Sequence, residues 1–473
     1  MILKISLHIL VVVYAFNAFA GTGTRPVPSA GAASPVYVSD VPGISEEMLS
    51  VDYWADRLAS DRLRMGDRQI QAFNARNLAR GEFLHDLQAL GETMPGERVR
   101  ELLDGVSSPA SSARFYRDGR EVREADYGRM QASVQRDRIP ELVELQWGLV
   151  VERASMRSYP TRESIFKTPT DLDLDRLQET GVFPGQQVVL LHESADGEWW
   201  FALNYHYAAW LPKSAVAVGK RTQVEQWLAK VPRLVVTGAQ VRTNFNPVDA
   251  RTSERVLDMG VSLPLLSAAE VGHNVKGQNP FASHIVSLPV RDGAGRLAFE
   301  PTLIARSRDV ATGYLEYRPS LVLEQAFKFL GERYGWGHDF NGRDCTGFVG
   351  EVYKSFGILM PRNSGQQGRS AFAPTQFFEP GEERKRRQAL DSLNVGDLIY
   401  IPGHVMMYIG HADGEPYVIH DVTGLSYFNA DNEFYRGTLS GVSVTPLEPL
   451  QLGRERSFVD SIYAIKTIQP VMP

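Results

Sequence analysis

Arg343-Asp344-Cys345-Thr346-Gly347-Phe348-Val349-Gly350-Glu351-Val352-Tyr353-Lys354-Ser355-Phe356-Gly357 contains the only cysteine of the 473-residue chain. Counted from Cys345, apolar side chains fall at Phe348, Val349, Val352, Tyr353 and Phe356. This is the spacing of one face of a helix, and Gly357 stands where such a helix would stop. Cys345 is thereby expected in the first turn, where unpaired N–H groups and the helix dipole favour an anion and lower a thiol pKa. A free cysteine is commonly a packing residue. A lone thiol at a helix start, in a chain that carries an export signal, points instead to a nucleophile.

The export signal is read from residues 1–20. Lys4 precedes the apolar run Ile5 to Phe16, and Ala18-Phe19-Ala20 forms a small-x-small cleavage site. An uncleaved anchor is the alternative, because the run is nearly long enough to cross a bilayer. No cysteine follows that run, so lipid attachment at a new N-terminal cysteine is not expected, and no other stretch resembles a membrane span. The expectation is a periplasmic or secreted monomer. A net charge of −6 with 22% charged residues argues against a nucleic-acid binder, which needs a basic face. HExxH, paired CxxC, Gly-Lys-Ser/Thr and GxSxG motifs are lacking, so neither a metal nor a cofactor is expected.

The length suggests three or four domains. Residues 21–48 are rich in Gly, Ala, Ser and Pro and read as a linker. Residues 49–147 read as helical, with Trp54, Leu58, Ile70 and Phe73 as core contacts. Then Leu149-Val150-Val151 recurs as Leu234-Val235-Val236, an offset of 85 residues. Each copy continues in short strands, with hairpin signals at Asp196-Gly197 and Asp292-Gly293. Two small β-barrels fit this spacing, at 148–230 and 231–312. Residues 313–473 form an α+β domain that holds every chemical candidate. Its helix candidate Leu321 to Arg333 precedes the Cys345 helix, and strands follow at Leu398–Pro402, Val405–Gly410 and Tyr417–Val422.

A nucleophilic thiol needs a base, and the base needs an orienting group. His404 opens one strand and His420 closes the next. A two-residue Asp413-Gly414 turn would put the two rings on opposite faces, because side chains alternate. An odd loop, of three or five residues, would put them on one face. Asp421 and Asn429 are rivals for the orienting position.

These residues resemble the NlpC/P60 cell-wall peptidases, in that family's order: Tyr334-Gly335-Trp336-Gly337, Asp344-Cys345-Thr346-Gly347-Phe348, His404-Val405-Met406-Met407-Tyr408-Ile409-Gly410 and Ile419-His420. Thr346 stands where Ser is commoner, and His338 where a second Gly is usual. Pro361-Arg362-Asn363-Ser364 with Gln366 is similar to the family's substrate-side loop. The tandem repeat resembles paired bacterial SH3 domains. Ser50 to Trp54, with Gln71 to Asn74, resembles the N-terminal stabilising segment of multidomain members. The resemblance implies a papain-like catalytic domain behind two SH3-like barrels and a helical segment. It also implies hydrolysis of peptidoglycan stem peptides between γ-D-glutamate and diaminopimelate or lysine, on stems with a free N-terminal L-alanine. Cys345 would attack, His404 would serve as base and acid, and His420 would orient His404. Tyr334 would lie near the oxyanion, Asp344 would pair with the L-alanine ammonium or act as a helix cap, and Ser364 would line the substrate side. An amidase cutting before L-alanine and an inactive wall-binding protein are the alternatives.

Overall fold

The computed structural model describes residues 37–470. The expected export signal therefore lies outside the described residues, as does most of the linker. Residues 37–39 belong to a separate N-terminal unit and have no regular structure; Asp40–Pro473 is one compact unit. None of the described helices is long and apolar enough to cross a membrane.

The segment at 49–147 does not form a domain of its own. It contains α1 (Val51–Ala55), α2 (Asp67–Arg80), α3 (Gly96–Val106) and α4 (Glu124–Ser133), but its apolar residues serve two cores. Met48, Trp54, Met65, Ile70 and Phe73 are buried with the C-terminal domain, and Leu58 packs against that core half-buried. Met94, Val99, Leu103 and Val143 are buried with the two barrels. Polar side chains reinforce the first contact. Asn74 Nδ2 donates to Gly357 O at 2.7 Å, and its Oδ1 accepts from Leu359 N at 3.0 Å.

The first barrel is a seven-stranded antiparallel sheet running from Gln146–Val150 to Val216–Gly219 in the chain. Its hairpin Gln187–Glu193 with Trp199–Leu203 turns at Asp196-Gly197, as the sequence indicates. The second copy keeps its hairpin, Ser283–Arg291 with Leu297–Ala305, but divides into three small sheets. Tyr159 and Trp199 are core residues of the first barrel.

In the C-terminal domain, α5 (Pro319–Phe327) and α6 (Cys345–Lys354) pack on a six-stranded antiparallel sheet. Its strands are β1 (Thr375–Phe377), β2 (Leu398–Ile401), β3 (His404–Ala412), β4 (Glu415–Phe428), β5 (Phe434–Pro446) and β6 (Ala464–Lys466), in the spatial order β1-β6-β2-β3-β4-β5. Phe348, Val349, Val352, Tyr353 and Phe356 are fully buried. At about 1.5–3 kcal/mol each, this stripe holds α6 on the sheet. The α5 helix ends earlier than its apolar pattern suggests. Gly331 N donates to Val442 O, and Val442 N to Glu332 O, both at 2.9 Å, so the edge of β5 captures the chain before another turn can form.

Candidate active site

Cys345 is the first residue of α6 and is buried. Asp344 is the N-cap, its side chain accepting from Gly347 N. The backbone N–H of Val405, next to His404, faces the thiol and favours its thiolate form. The expected pKa depression does not hold. Burial, and then the Asp344 carboxylate, outweigh this N–H and push the thiol up to about 12. In this state Cys345 is a neutral thiol.

His404 and His420 meet, with His404 Nε2 lying 2.8 Å from His420 Nδ1. The odd loop expected for this arrangement is absent. Ala412 pairs with Glu415 across a two-residue Asp413-Gly414 turn, and Gly410 with Tyr417, but Tyr408 already pairs with Val418. Ile409 is therefore a surplus residue, extruded as a β-bulge. The bulge supplies the one-residue correction that the sequence argument assigned to the loop. Continuing the register puts His420 opposite Met406, an even step from His404, so both rings share a face.

The tautomers follow from the partners. His420 Nε2 lies 3.1 Å from Thr445 Oγ1. One arrangement has His404 Nε2–H donating to His420, and His420 Nε2–H donating to Thr445. That leaves His404 Nδ1 unprotonated and free to take a proton. Burial lowers the His404 pKa to about 4, and burial followed by the His404 charge lowers that of His420. Both rings are neutral at pH 7. Thr445 lies on β5, and its strand was not recognised in the sequence, so no signal marked it.

Residues 331–443 match the NlpC/P60 family, and residues 164–212 match the SH3 domain of SH3b1 type. The C-terminal domain is an NlpC/P60 domain. A curated relative, the gamma-D-glutamyl-L-lysine dipeptidyl-peptidase of Bacillus cereus (strain ATCC 10987 / NRS 248), is 26% identical over 253 residues, 49% of this chain. The match spans 65% of that relative's length. The solved structure of an NlpC/P60 endopeptidase from Photobacterium damselae subsp. piscicida covers 87% of this chain and 95% of its own, with a TM-score of 0.69 at 17% identity. That likeness is one of fold.

Beside Cys345 of the NlpC/P60 domain, the Asp344 carboxylate is already engaged. Asp344 Oδ1 accepts from Gly347 N at 2.8 Å, Thr346 Oγ1 at 3.0 Å and Arg362 Nη1 at 3.1 Å. Its Oδ2 accepts from Arg362 Nη2 at 2.7 Å and Gly337 N at 3.0 Å. Burial would raise this carboxyl, but Arg362 and then His338 hold it well below the ordinary range. Asp344 is thus a helix cap saturated by an internal guanidinium, which leaves the ammonium role expected for it without free lone pairs. Arg362 Nε also reaches Thr180 Oγ1 of the first barrel, at 2.6 Å.

His338, the departure from the family pattern, fills the contact between that barrel and α6. Its Nδ1 accepts from Gly181 N at 3.2 Å, and its Nε2 lies 3.2 Å from Glu351 Oε1, off the hydrogen-bond axis. A Cβ on Gly181 would stand 2.8 Å from the His338 Cβ. Glycine is required there for close approach.

The remaining candidates separate by environment. Tyr334 is half-buried, and burial and then the charge of Cys345 raise its hydroxyl pKa, which places it in the field of the thiol. Ser364 opens the short helix Ser364–Arg369, and its carbonyl accepts from Tyr463 Oη at 3.4 Å. Neither rival reaches the orienting position. Asp421 is buried with both oxygens unpartnered, and burial pushes it up to about 9. Asn429 closes a turn, accepting from Glu433 N at 2.8 Å. Sequence reading passed over Glu179 of the first barrel. Among the described residues this carboxyl takes a side-chain hydrogen bond from Tyr207 Oη alone, and burial pushes it up to about 7 against the pull of Tyr207 and Arg362.

Proposed function

We propose that this chain is a cysteine endopeptidase that hydrolyses peptidoglycan stem peptides between γ-D-glutamate and the following diamino acid. The observation that carries this reading is the 2.8 Å contact between His404 and His420 beside the Cys345 helix. A neutral thiol facing the strand that carries His404, whose Nδ1 is free, becomes a reactive ion pair by one proton transfer. On attack, the Cys345 proton passes to His404 Nδ1 and the sulfur bonds to the γ-glutamyl carbonyl carbon. His404 then gives the proton to the departing amine, leaving a thioester that water cleaves. His420 orients His404 and shares the imidazolium charge. Tyr334 lies where its hydroxyl can face the developing oxyanion, and Ser364 lies on the substrate side. The name of the Bacillus cereus relative supports both the bond and the release of a dipeptide.

Recognition of a free L-alanine terminus moves from Asp344 to Glu179. A desolvated carboxyl with a single hydroxyl partner gains most from an incoming ammonium. It also stands on the first barrel beside Arg362, where a wall of the cleft is needed.

The test is incubation of the chain with L-Ala-γ-D-Glu-meso-diaminopimelate and with its N-acetylated form, read by mass spectrometry. Release of L-Ala-γ-D-Glu from the free amine only is the expected outcome. Cys345→Ala should abolish it with the fold intact. Cleavage of both substrates would discard the terminal-amine requirement. Cleavage of neither, in folded and reduced protein, would favour an amidase or a wall-binding protein.

A further inference from the structure

A cavity of about 450 Å³ lies at the far end of α6 from Cys345. Lys354 on its rim lies nine helical steps from Cys345, about 13 Å at 1.5 Å per residue. Every part of the compact unit contributes to its wall: Leu87 from the N-terminal segment, Phe183 and Tyr205 from the first barrel, Val261 from the second, and Lys354 and Leu359 from the NlpC/P60 domain.

Three polar side chains on this wall, Lys354, Tyr205 and Gln187, carry donors without a hydrogen-bond partner among the described residues. The Lys354 ammonium makes no hydrogen bond or ion pair among the described residues; the Phe183 ring centroid lies 5.3 Å away, and the Glu351 and Asp258 carboxylates act on the charge from farther off. The Tyr205 hydroxyl is likewise without a partner among them, and Gln187, also on the wall, has a buried Nε2 that makes no hydrogen bond. Arg233 is present too, but it is bound to Ser262 and to the carbonyls of Trp227 and Leu228. The free groups are donors, and one carries a charge. Beside Glu351 and Asp258, which favour that charge without pairing with it, the dipole at the C-terminus of α6 adds only about 0.3–1 kcal/mol. The rest of the wall is largely apolar, with His85, Gln88, Gln186 and Ser262 among it and an Asp86 carboxylate whose Oδ1 is taken up by Gln88 N and Ala89 N. A cavity of this size at a domain junction, apolar with a few convergent donors, has the make-up of a small-molecule site.

We propose that this cavity is a second binding site, separate from the Cys345 centre, for a small carboxylate with an apolar body. Lys354 pairs with the carboxylate, Tyr205 and Gln187 supply hydrogen bonds, and Phe183, Leu87 and Leu359 enclose the body. Because the wall is built from all four parts of the unit, an occupant also stabilises their docking.

The experiment is calorimetric titration of the full chain with benzoate and with benzamide, its neutral isostere, accompanied by thermal unfolding. Benzoate should bind once per chain and raise the melting temperature, with benzamide at least tenfold weaker. Lys354→Met keeps the stem and removes the charge, and should weaken benzoate at least tenfold while leaving benzamide unchanged. Protein alkylated at Cys345 with iodoacetamide should bind benzoate as before. Equal affinity for the two probes, loss of benzoate binding on alkylation, or no saturable binding at all would each overturn the proposal. If Lys354→Met fails to fold, the benzoate–benzamide contrast and the alkylated protein still decide it. None of these readouts depends on turnover, so the result stands apart from the peptidase reading.

Discussion

Without substrate, Cys345 and His404 are both neutral at pH 7, because burial moves the thiol up and the imidazole down. Alkylation of Cys345 by iodoacetamide should therefore be slow at pH 7 and keep accelerating above pH 9, as stopped-time mass spectrometry can follow. A plateau below pH 7 would mean a preformed thiolate. Glu179 gives a second handle. Its folded pKa, about 7, lies above the ordinary carboxylate value, so the carboxyl is increasingly protonated as pH falls through 7. An ammonium ligand needs the charged form. KM for the free-amine peptide should thus rise as pH drops below 7, and Glu179→Gln should raise it about tenfold or more at pH 8 with kcat little changed. Cys345, His404 and His420 were legible because their chemistry is written in residue types at fixed offsets. Thr445, Arg362 and Glu179 were not, since their roles depend on which groups the fold sets beside them.

On the scale of elements, the parity argument foresaw that the hairpin needed one residue of correction, but not where. Asp413-Gly414 kept its two-residue turn, and Ile409 was extruded instead. The reason lies far away in the chain. Gly410 has φ +150, and a Cβ there would stand 2.9 Å from Trp54 Cε3. Trp54 also packs on Tyr417, the cross-strand partner of Gly410, with ring centroids 5.2 Å apart. The indole of α1 thus covers the bulge. Gly410→Ala should destabilise the protein by about 1–3 kcal/mol through the strained backbone and this contact. In a double-mutant cycle, Trp54→Ala should relieve part of that loss, giving a coupling of about 0.5 kcal/mol or more in urea unfolding. Additive losses would show that the two positions are independent. No local pattern could reveal such a contact, because periodicity reports which face is apolar and not what covers it.

Across the whole molecule, the division of 49–147 between two cores was not visible in the sequence. The same long-range logic governs Arg343, which is fully buried. Its Nη2 lies 2.9 Å from Asp258 of the second barrel, its Nε 2.8 Å from Glu351 of α6, and its Nη1 pairs with Glu332. Arg343→Ala would strand these carboxylates, and should cost about 3–5 kcal/mol in equilibrium unfolding. Lys at this position should not restore the loss, because one ammonium cannot reproduce a three-way fork. Arg343, Asp344 and Cys345 are consecutive, so contacts to residues 231–312 (through Asp258), to the first barrel (through Arg362 and Thr180) and the Cys345 thiol meet within one tripeptide. The NlpC/P60 domain is therefore a poor unit for transplantation. With the domain grafted behind foreign barrels, Arg343 would lose Asp258, and Arg362, the partner of Asp344, would lose Thr180, so recombination between relatives should preserve the barrels and the C-terminal domain as a single inherited block.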